Sequence, residues 1–479
     1  MSSNIVNTDS TYKKLANSAK SNSPGWARAR VSLLLDKIIF YALLVVIALT
    51  AIPYGTVDPI WAALFECAVF ALTVLWIIEG LFSGARRISG RSMLVPLLAM
   101  VVFAFVQTLP LWSASGEFAG IEGTVWKAIS AAPYETRFVV LKLIAYTLTF
   151  ALLLRYTYSQ FRLRALIYTV IGISLASALF GIIRQGTQHT MGFILPRLKP
   201  GQGYGQLIYH NAFASLMVMC FGLILGLALR RGVRRDRLLI YLAIALPIWT
   251  ALVLSKSRGA IFSMIGQVIL LALLYSFRRP SRELRNGETD ERLSPSARSI
   301  ILRVAFITGL IVLLTISVFW IGGDPLAEKV GQDELTTESG KFTERRIDLW
   351  RETWPLIKAN PIAGVGFGAY WVSIDEYLNR SGKMKPYQAH NDYLDLLASG
   401  GIIGVALACW FVVAVIRRAR EHLRSTDPFR RAACFGALLG LFGVAVHSLV
   451  DFTLQITINA VIFIALIVIA TVDVRSTAP

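Results

Sequence analysis

His390 is the residue in this chain best placed to move a proton. It lies in AHNDYLDLLASGGIIG (Ala389 to Gly404), just ahead of an apolar run, with Asp392 and Asp395 close behind it. A helix N-terminus disfavours the imidazolium form, whereas neighbouring carboxylates favour it. An imidazole held between those influences suits general-base work near neutral pH. The bland use of the same residue is a capping or surface histidine, with Asn391 or Asp392 near the N-cap of the following helix.

Cationic side chains offer a second chemistry. Arg184, Arg197 with Lys199, Lys256 with Arg258 in LSKSRGA, and Arg345 with Arg346 all fall in loops or at the ends of apolar runs. Guanidinium groups grip phosphate through paired, directional hydrogen bonds and stay charged at any relevant pH. Gathered at the mouth of a helical bundle, they suit a lipid-borne pyrophosphate. Their bland use is snorkelling to lipid headgroups.

Other chemistries find less support. Cys67, Cys220, Cys409 and Cys434 are scattered through apolar runs without metal-ligand spacing and read as small apolar residues. GVGFG at 364–368 lacks the Lys-Ser/Thr that follows a phosphate-binding loop. His447, close to Asp451 in VHSLVDFTLQ, reads as a structural hydrogen-bonding histidine. Glu66 and Lys142 stand inside apolar runs, where charges tend to pair with each other or line a cavity.

The elements that must position these residues are membrane helices. Hydrophobic residues make up 55% of 479 and charged ones 16%, against the roughly 25% charged residues of a soluble protein. Twelve runs are long enough to cross a bilayer, at about 38–54, 60–82, 93–111, 138–154, 165–183, 211–229, 238–254, 260–277, 300–321, 396–416, 432–449 and 456–472. The expected fold is therefore all-α and polytopic, with about 12 transmembrane helices and a large loop containing short helices. No cleavage-site pattern precedes the first span, which reads as an uncleaved anchor.

Lys and Arg orient the spans. Thirty of the 48 fall in the tails and on every second connection, whereas the short loops of the opposite side carry seven. This predicts cytoplasmic termini, with 1–35 and 473–479 as cytoplasmic tails and 322–392 as an outer loop between spans 36–321 and 393–472. The net charge of +19 is thus mostly a topology signal, not a mark of nucleic-acid binding. Within the outer loop, Thr343 is a candidate cap for a helix with Glu344 in its first turn. Ile347, Trp350, Trp354 and Ile357 give that helix an apolar face that could lie on the membrane. Pro361 ends it, and Gly364, Gly366 and Gly368 permit a tight turn. The aromatic, mildly acidic segment 112–137 reads as interfacial or re-entrant. No internal repeat is visible, which weakens a transporter reading.

The segment RIDLWRETWPLIKANPIAGVGFGAY, followed by HNDYLDLLASGGIIG, resembles the signature region of the O-antigen ligase and O-antigen polymerase family. SRGA at 257–260 and HSLVDFTLQITINA at 447–460 are similar to its flanking pieces. The resemblance implies a metal-independent, cofactor-free glycosyltransferase of the bacterial inner membrane, acting at the periplasmic face. Its donor would be an undecaprenyl-pyrophosphate-linked glycan, and its acceptor lipid A-core or another lipid-linked glycan. It further implies His390 as base and Arg258, Arg184 and Arg346 as pyrophosphate ligands. Lys256 and Arg197 would assist, and Asn391, Asp392 and Arg345 would support. A lipid-linked glycan transporter is the alternative from a different class.

Overall fold

A computed structural model describes residues 26–84, 90–118, 121–187, 204–229, 238–276, 346–378 and 386–474. Among the described residues, eight α-helices form the first part: α1 (Trp26–Leu49), α2 (Pro59–Ser83), α3 (Arg91–Val106), α4 (Pro133–Tyr156), α5 (Gln160–Gly186), α6 (His210–Leu229), α7 (Leu238–Leu254) and α8 (Arg258–Ser276). Five follow: α9 (Arg346–Ala359), the single turn α10 (Tyr370–Ser373), α11 (Asp392–Leu423), α12 (Pro428–His447) and α13 (Thr457–Thr471).

Among the described residues, α1, α2, α4, α5, α6, α11 and α12 are seven helices long and apolar enough to cross a membrane, and α3, α7, α8 and α13 are shorter apolar helices. Each matches an expected span; the expected span at 300–321 lies outside the described residues. The chain is a mostly helical, multi-pass membrane protein. Beside the helices, 112–127 forms an antiparallel hairpin of β1 (Trp112–Phe118) and β2 (Ile121–Lys127), pairing Trp112 with Lys127. Ser, Gly, Thr and Val in this stretch suit an extended ribbon better than a helix.

Helix α6 is the buried centre, and α12 lies against it at backbone contact. A Cβ built on Gly226 would fall 2.1 Å from Gly436 Cα, and one on Gly222 would fall 2.6 Å from Gly440 N. Only glycine allows this approach, and close backbone packing is what holds helices together where the hydrophobic effect is spent. Gln267 of α8 completes the trio, its Nε2 donating to Val218 O of α6 and Leu439 O of α12, both at 3.0 Å. These contacts fix α8 against α6 and α12.

The second structural device is a break in α11. Gly401 adopts φ 59° and ψ −162°, and the chain at 361–366 fills the gap it leaves. Ala398 O and Ser399 O accept from Val365 N (2.9 Å) and Gly366 N (3.0 Å), while Ile402 N donates to Pro361 O (2.9 Å). Gln107, at the C-cap of α3, is buried at this join. Its Nε2 donates to Ala363 O (2.8 Å) and Ser399 O (3.1 Å), and its Oε1 accepts from Phe367 N (3.2 Å). A small core of Leu349, Leu356, Ile357, Val365, Tyr370, Ile374, Ala389 and Ala398 then joins α9, α10 and the first half of α11.

The expected apolar face of α9 is therefore only partly buried. Leu349, Glu352, Thr353, Leu356 and Ile357 face inward, whereas Ile347 and Trp354 are exposed. Pro361 does lie beyond the helix end, and Gly364, Gly366 and Gly368 all have positive φ. Thr343 and Glu344 lie outside the described residues.

Candidate active site

Asn391 caps α11, its Oδ1 accepting from Tyr393 N (3.0 Å) and Leu394 N (3.1 Å). The residues around it are sewn to the segment that follows α12. Asn391 Nδ2 donates to Leu449 O (2.8 Å), Asp392 N to Ser448 O (3.0 Å), and Ser448 Oγ to Asp392 (2.7 Å). On the upstream side, Trp350 Nε1 of α9 donates to Ala389 O at 3.0 Å. Between these ties stands His390 at φ 49°. The left-handed region is uncommon for a residue with a Cβ, and surrounding contacts must hold it there.

The carboxylate facing His390 is Asp451, not Asp392 or Asp395. Asp395 accepts from Ala389 N (3.2 Å), and Asp392 is taken up by Ser448. Asp451 Oδ1 lies 3.9 Å from His390 Nδ1, an ion-pair distance and longer than a hydrogen bond. This spacing leaves Nε2 as the nitrogen turned away from the carboxylate. The ring stands edge-on to Phe452, with centroids 4.8 Å apart.

Asp451 is a buried hub. It accepts from Tyr209 Oη at 2.8 and 2.9 Å, from its neighbour Phe452 N at 2.9 Å, and from Arg346 Nη2 at 3.4 Å. Arg346 also donates Nη1 to Val450 O at 2.7 Å. Asn211 Nδ2 donates to Tyr209 Oη at 2.9 Å, and Tyr209 stacks on Phe452. Burial, with the Asp451 carboxylate beside it, pushes the Tyr209 hydroxyl well above the ordinary phenol range, so it remains a donor.

The expected cations fare differently. Arg258 opens α8 and is exposed, and Lys256 precedes it at φ 60° in the tight turn that starts this helix. His447 is wholly buried, and neither ring nitrogen has a hydrogen-bond partner, contrary to its expected structural bond. Its ring instead packs on Gly259, where an added Cβ would lie 2.9 Å from His447 Cδ2. The Arg258 turn, His447 and the Asp451 hub are thus successive neighbours. Arg184, expected at an open mouth, is fully buried and donates Nη1 to Gly205 O (3.0 Å), behind the loop that carries Tyr209. Arg197, Lys199 and Arg345 lie outside the described residues. Glu66 and Lys142 attract one another electrostatically between α2 and α4.

GVGFG is a buckle and not a phosphate cradle. The amides of Gly364, Val365, Gly366 and Phe367 are spent on Asn360 O, Ala398 O, Ser399 O and Gln107 Oε1. Among the described residues no cluster of His, Cys, Asp and Glu is arranged to hold a metal ion. Arginines at other helix ends are structural by contrast: Arg155 of α4 pairs with buried Glu79 and Arg162 of α5 with buried Asp36.

Three segments far apart in sequence thus bring an imidazole, a carboxylate and a guanidinium together beside a cationic turn. Residues 240–409, which hold Arg258, Arg346 and His390, match the family model described as O-antigen ligase. This part of the chain is similar to the O-antigen ligase family. The exopolysaccharide production protein ExoQ of Rhizobium meliloti (strain 1021) is 25% identical over 142 residues, covering 28% of this chain. That match spans 31% of the relative's own length. Asp451 and Tyr209 lie outside the matched segment. Sequence reasoning placed Asp451 only beside His447 and passed over Tyr209 and Asn211. A carboxylate at the end of an apolar span was the available signal for Asp451; Tyr209 offered none.

Proposed function

We propose that the protein transfers a glycan from undecaprenyl pyrophosphate to a hydroxyl of lipid A-core at the periplasmic face of the inner membrane. The observation that carries this reading is the convergence of His390, Arg346 and Tyr209 on Asp451. It supplies a base held by a carboxylate, beside a turn that presents Arg258 and Lys256.

In the proposed reaction, His390 Nε2 takes the proton of the acceptor hydroxyl as its oxygen attacks the anomeric carbon. The bond from that carbon to the pyrophosphate oxygen breaks, and its electron pair leaves with the pyrophosphate. A single displacement inverts the sugar centre. Asp451 stabilises the imidazolium that forms. Arg258, Lys256 and Arg346 offset the charge growing on the leaving group, the kind of electrostatic term that is often the largest in catalysis. Arg184 shapes the loop behind Tyr209.

A second reading is favoured by the relative, whose name is that of an exopolysaccharide production protein. In it, the acceptor hydroxyl belongs to another lipid-linked repeat unit, and the same site makes polymer. Purified protein in lipid nanodiscs, given undecaprenyl-pyrophosphate glycan with or without lipid A-core, separates the two. Glycosylated lipid A-core with release of undecaprenyl pyrophosphate supports ligation. Lengthening on the carrier without lipid A-core supports polymerisation, and no transfer to either acceptor removes both.

A further inference from the structure

Three residues before His390, the chain presents an aromatic surface that the reaction above does not use. Tyr387 is 70% exposed although its neighbours Pro386 and Ala389 are buried. Its ring lies against Trp371, with centroids 5.6 Å apart and planes inclined by 31°. The residues next to both rings are anchored. Trp371 follows Tyr370, which is buried and shares a 2.7 Å hydrogen bond with Thr353 of α9. Tyr387 is followed by Gln388, which donates to Gln455 at 2.6 Å. Asp375 and Glu376, one turn beyond Trp371, are exposed.

We propose that Tyr387, backed by Trp371, is the stacking platform for a pyranose ring of the acceptor glycan. The inference rests on the transfer reading above. An aromatic face is negatively polarised, and the C–H bonds on one side of a pyranose present partial positive charge to it. Exposed carboxylates beside such a face accept from sugar hydroxyls, as a few polar groups around an apolar surface do in ligand sites generally. Three residues of chain reach at most about 10 Å, so a sugar on Tyr387 is the unit whose hydroxyl reacts at His390 or that unit's neighbour. The acceptor is favoured over the donor because His390 removes the acceptor's proton, whereas the cationic turn that faces the donor belongs to α8.

The test uses the full chain in nanodiscs, with lipid A-core and, separately, an undecaprenyl-pyrophosphate oligosaccharide as acceptor. Tyr387→Ala should raise the acceptor KM about tenfold, equivalent to about 1.4 kcal/mol, with donor KM unmoved. Tyr387→Phe, which keeps the face, should stay near wild type, and Tyr387→Trp should bind at least as well. Unchanged KM for both substrates, with His390→Ala still inactive, overturns the platform and leaves the transfer reading standing. A rise confined to donor KM overturns the acceptor assignment. If wild-type protein transfers nothing, calorimetric titration of lipid A-core into wild type and Tyr387→Ala decides the platform alone: equal binding, or none, overturns it.

Discussion

Asp451 and His390 face each other with Oδ1 3.9 Å from Nδ1, across two segments tied by the bonds from Asn391 and Asp392 to the residues after α12. A carboxylate held there orients the ring and favours the imidazolium that a general base becomes. His390→Ala should lower kcat by about 10²- to 10⁴-fold. Asp451→Asn should lower it by a smaller factor with both KM values retained. Because the two residues act as one unit, the double variant should be no slower than His390→Ala. Multiplicative losses in steady-state kinetics would show that they work independently.

Tyr209 supplies Asp451 with its closest side-chain donor. Tyr209→Phe leaves the buried carboxylate one hydrogen bond short, a cost of about 1–3 kcal/mol. The sign of the pH dependence follows from the raised phenol: an acid whose pKa is raised stays protonated to higher pH. Tyr209 therefore adds no limb to the rate profile. The activity ratio of Tyr209→Phe to wild type should be flat between about pH 6 and pH 9. A deficit that disappears towards the alkaline end would mean that the phenol ionises and that its role is different.

Much of this architecture was legible in the chain, because apolar runs of bilayer length leave little choice but helices. His390, Arg258 and Arg346 were legible too, as polar groups in a chain where polarity is scarce. The partner of His390 was not. Spacing favoured Asp392 and Asp395, but Ala389 N takes up Asp395 locally and the docking of α11 on the end of α12 brings Ser448 to Asp392. The same holds for Arg184: its place at a span end suggested an open mouth, and its burial depends on the turn at Gly205. The hairpin at 112–127 was hidden because its residue types are compatible with several irregular forms. Local pattern fixes elements; which side chains meet is decided by glycine contacts such as Gly226 with Gly436, which a single sequence does not pair.

Gln107 reaches the GVGFG turn and the break in α11 from a helix far away in sequence. Replacing it with Ala removes three hydrogen bonds and leaves Ala363 O and Phe367 N without this partner. The expected loss of stability is about 1.5–4.5 kcal/mol, at the usual 0.5–1.5 for each bond. Gln107→Glu should be no better, since its carboxylate would meet two carbonyl oxygens. Thermal unfolding in detergent measures both; a wild-type midpoint for Gln107→Ala would mean that the turn holds without its buckle.

Gly259 is where the cationic turn meets the hub. A Cβ there would lie 2.7 Å from Val450 Cγ2 and 3.1 Å from His447 Nε2. Val450 also offers the carbonyl that receives Arg346 at 2.7 Å. Gly259→Ala should therefore push this segment away from α8 and disturb Arg346 and Asp451 together, lowering kcat about tenfold or more. Overpacking of this size costs about 1–3 kcal/mol, which a helical bundle survives. Because the tightest clash is with one methyl of Val450, Val450→Ala alone should be mild and should restore part of the activity in the double variant. If Val450→Ala gives no rescue, the loss comes from the glycine backbone itself and not from the contact between the turn and the hub.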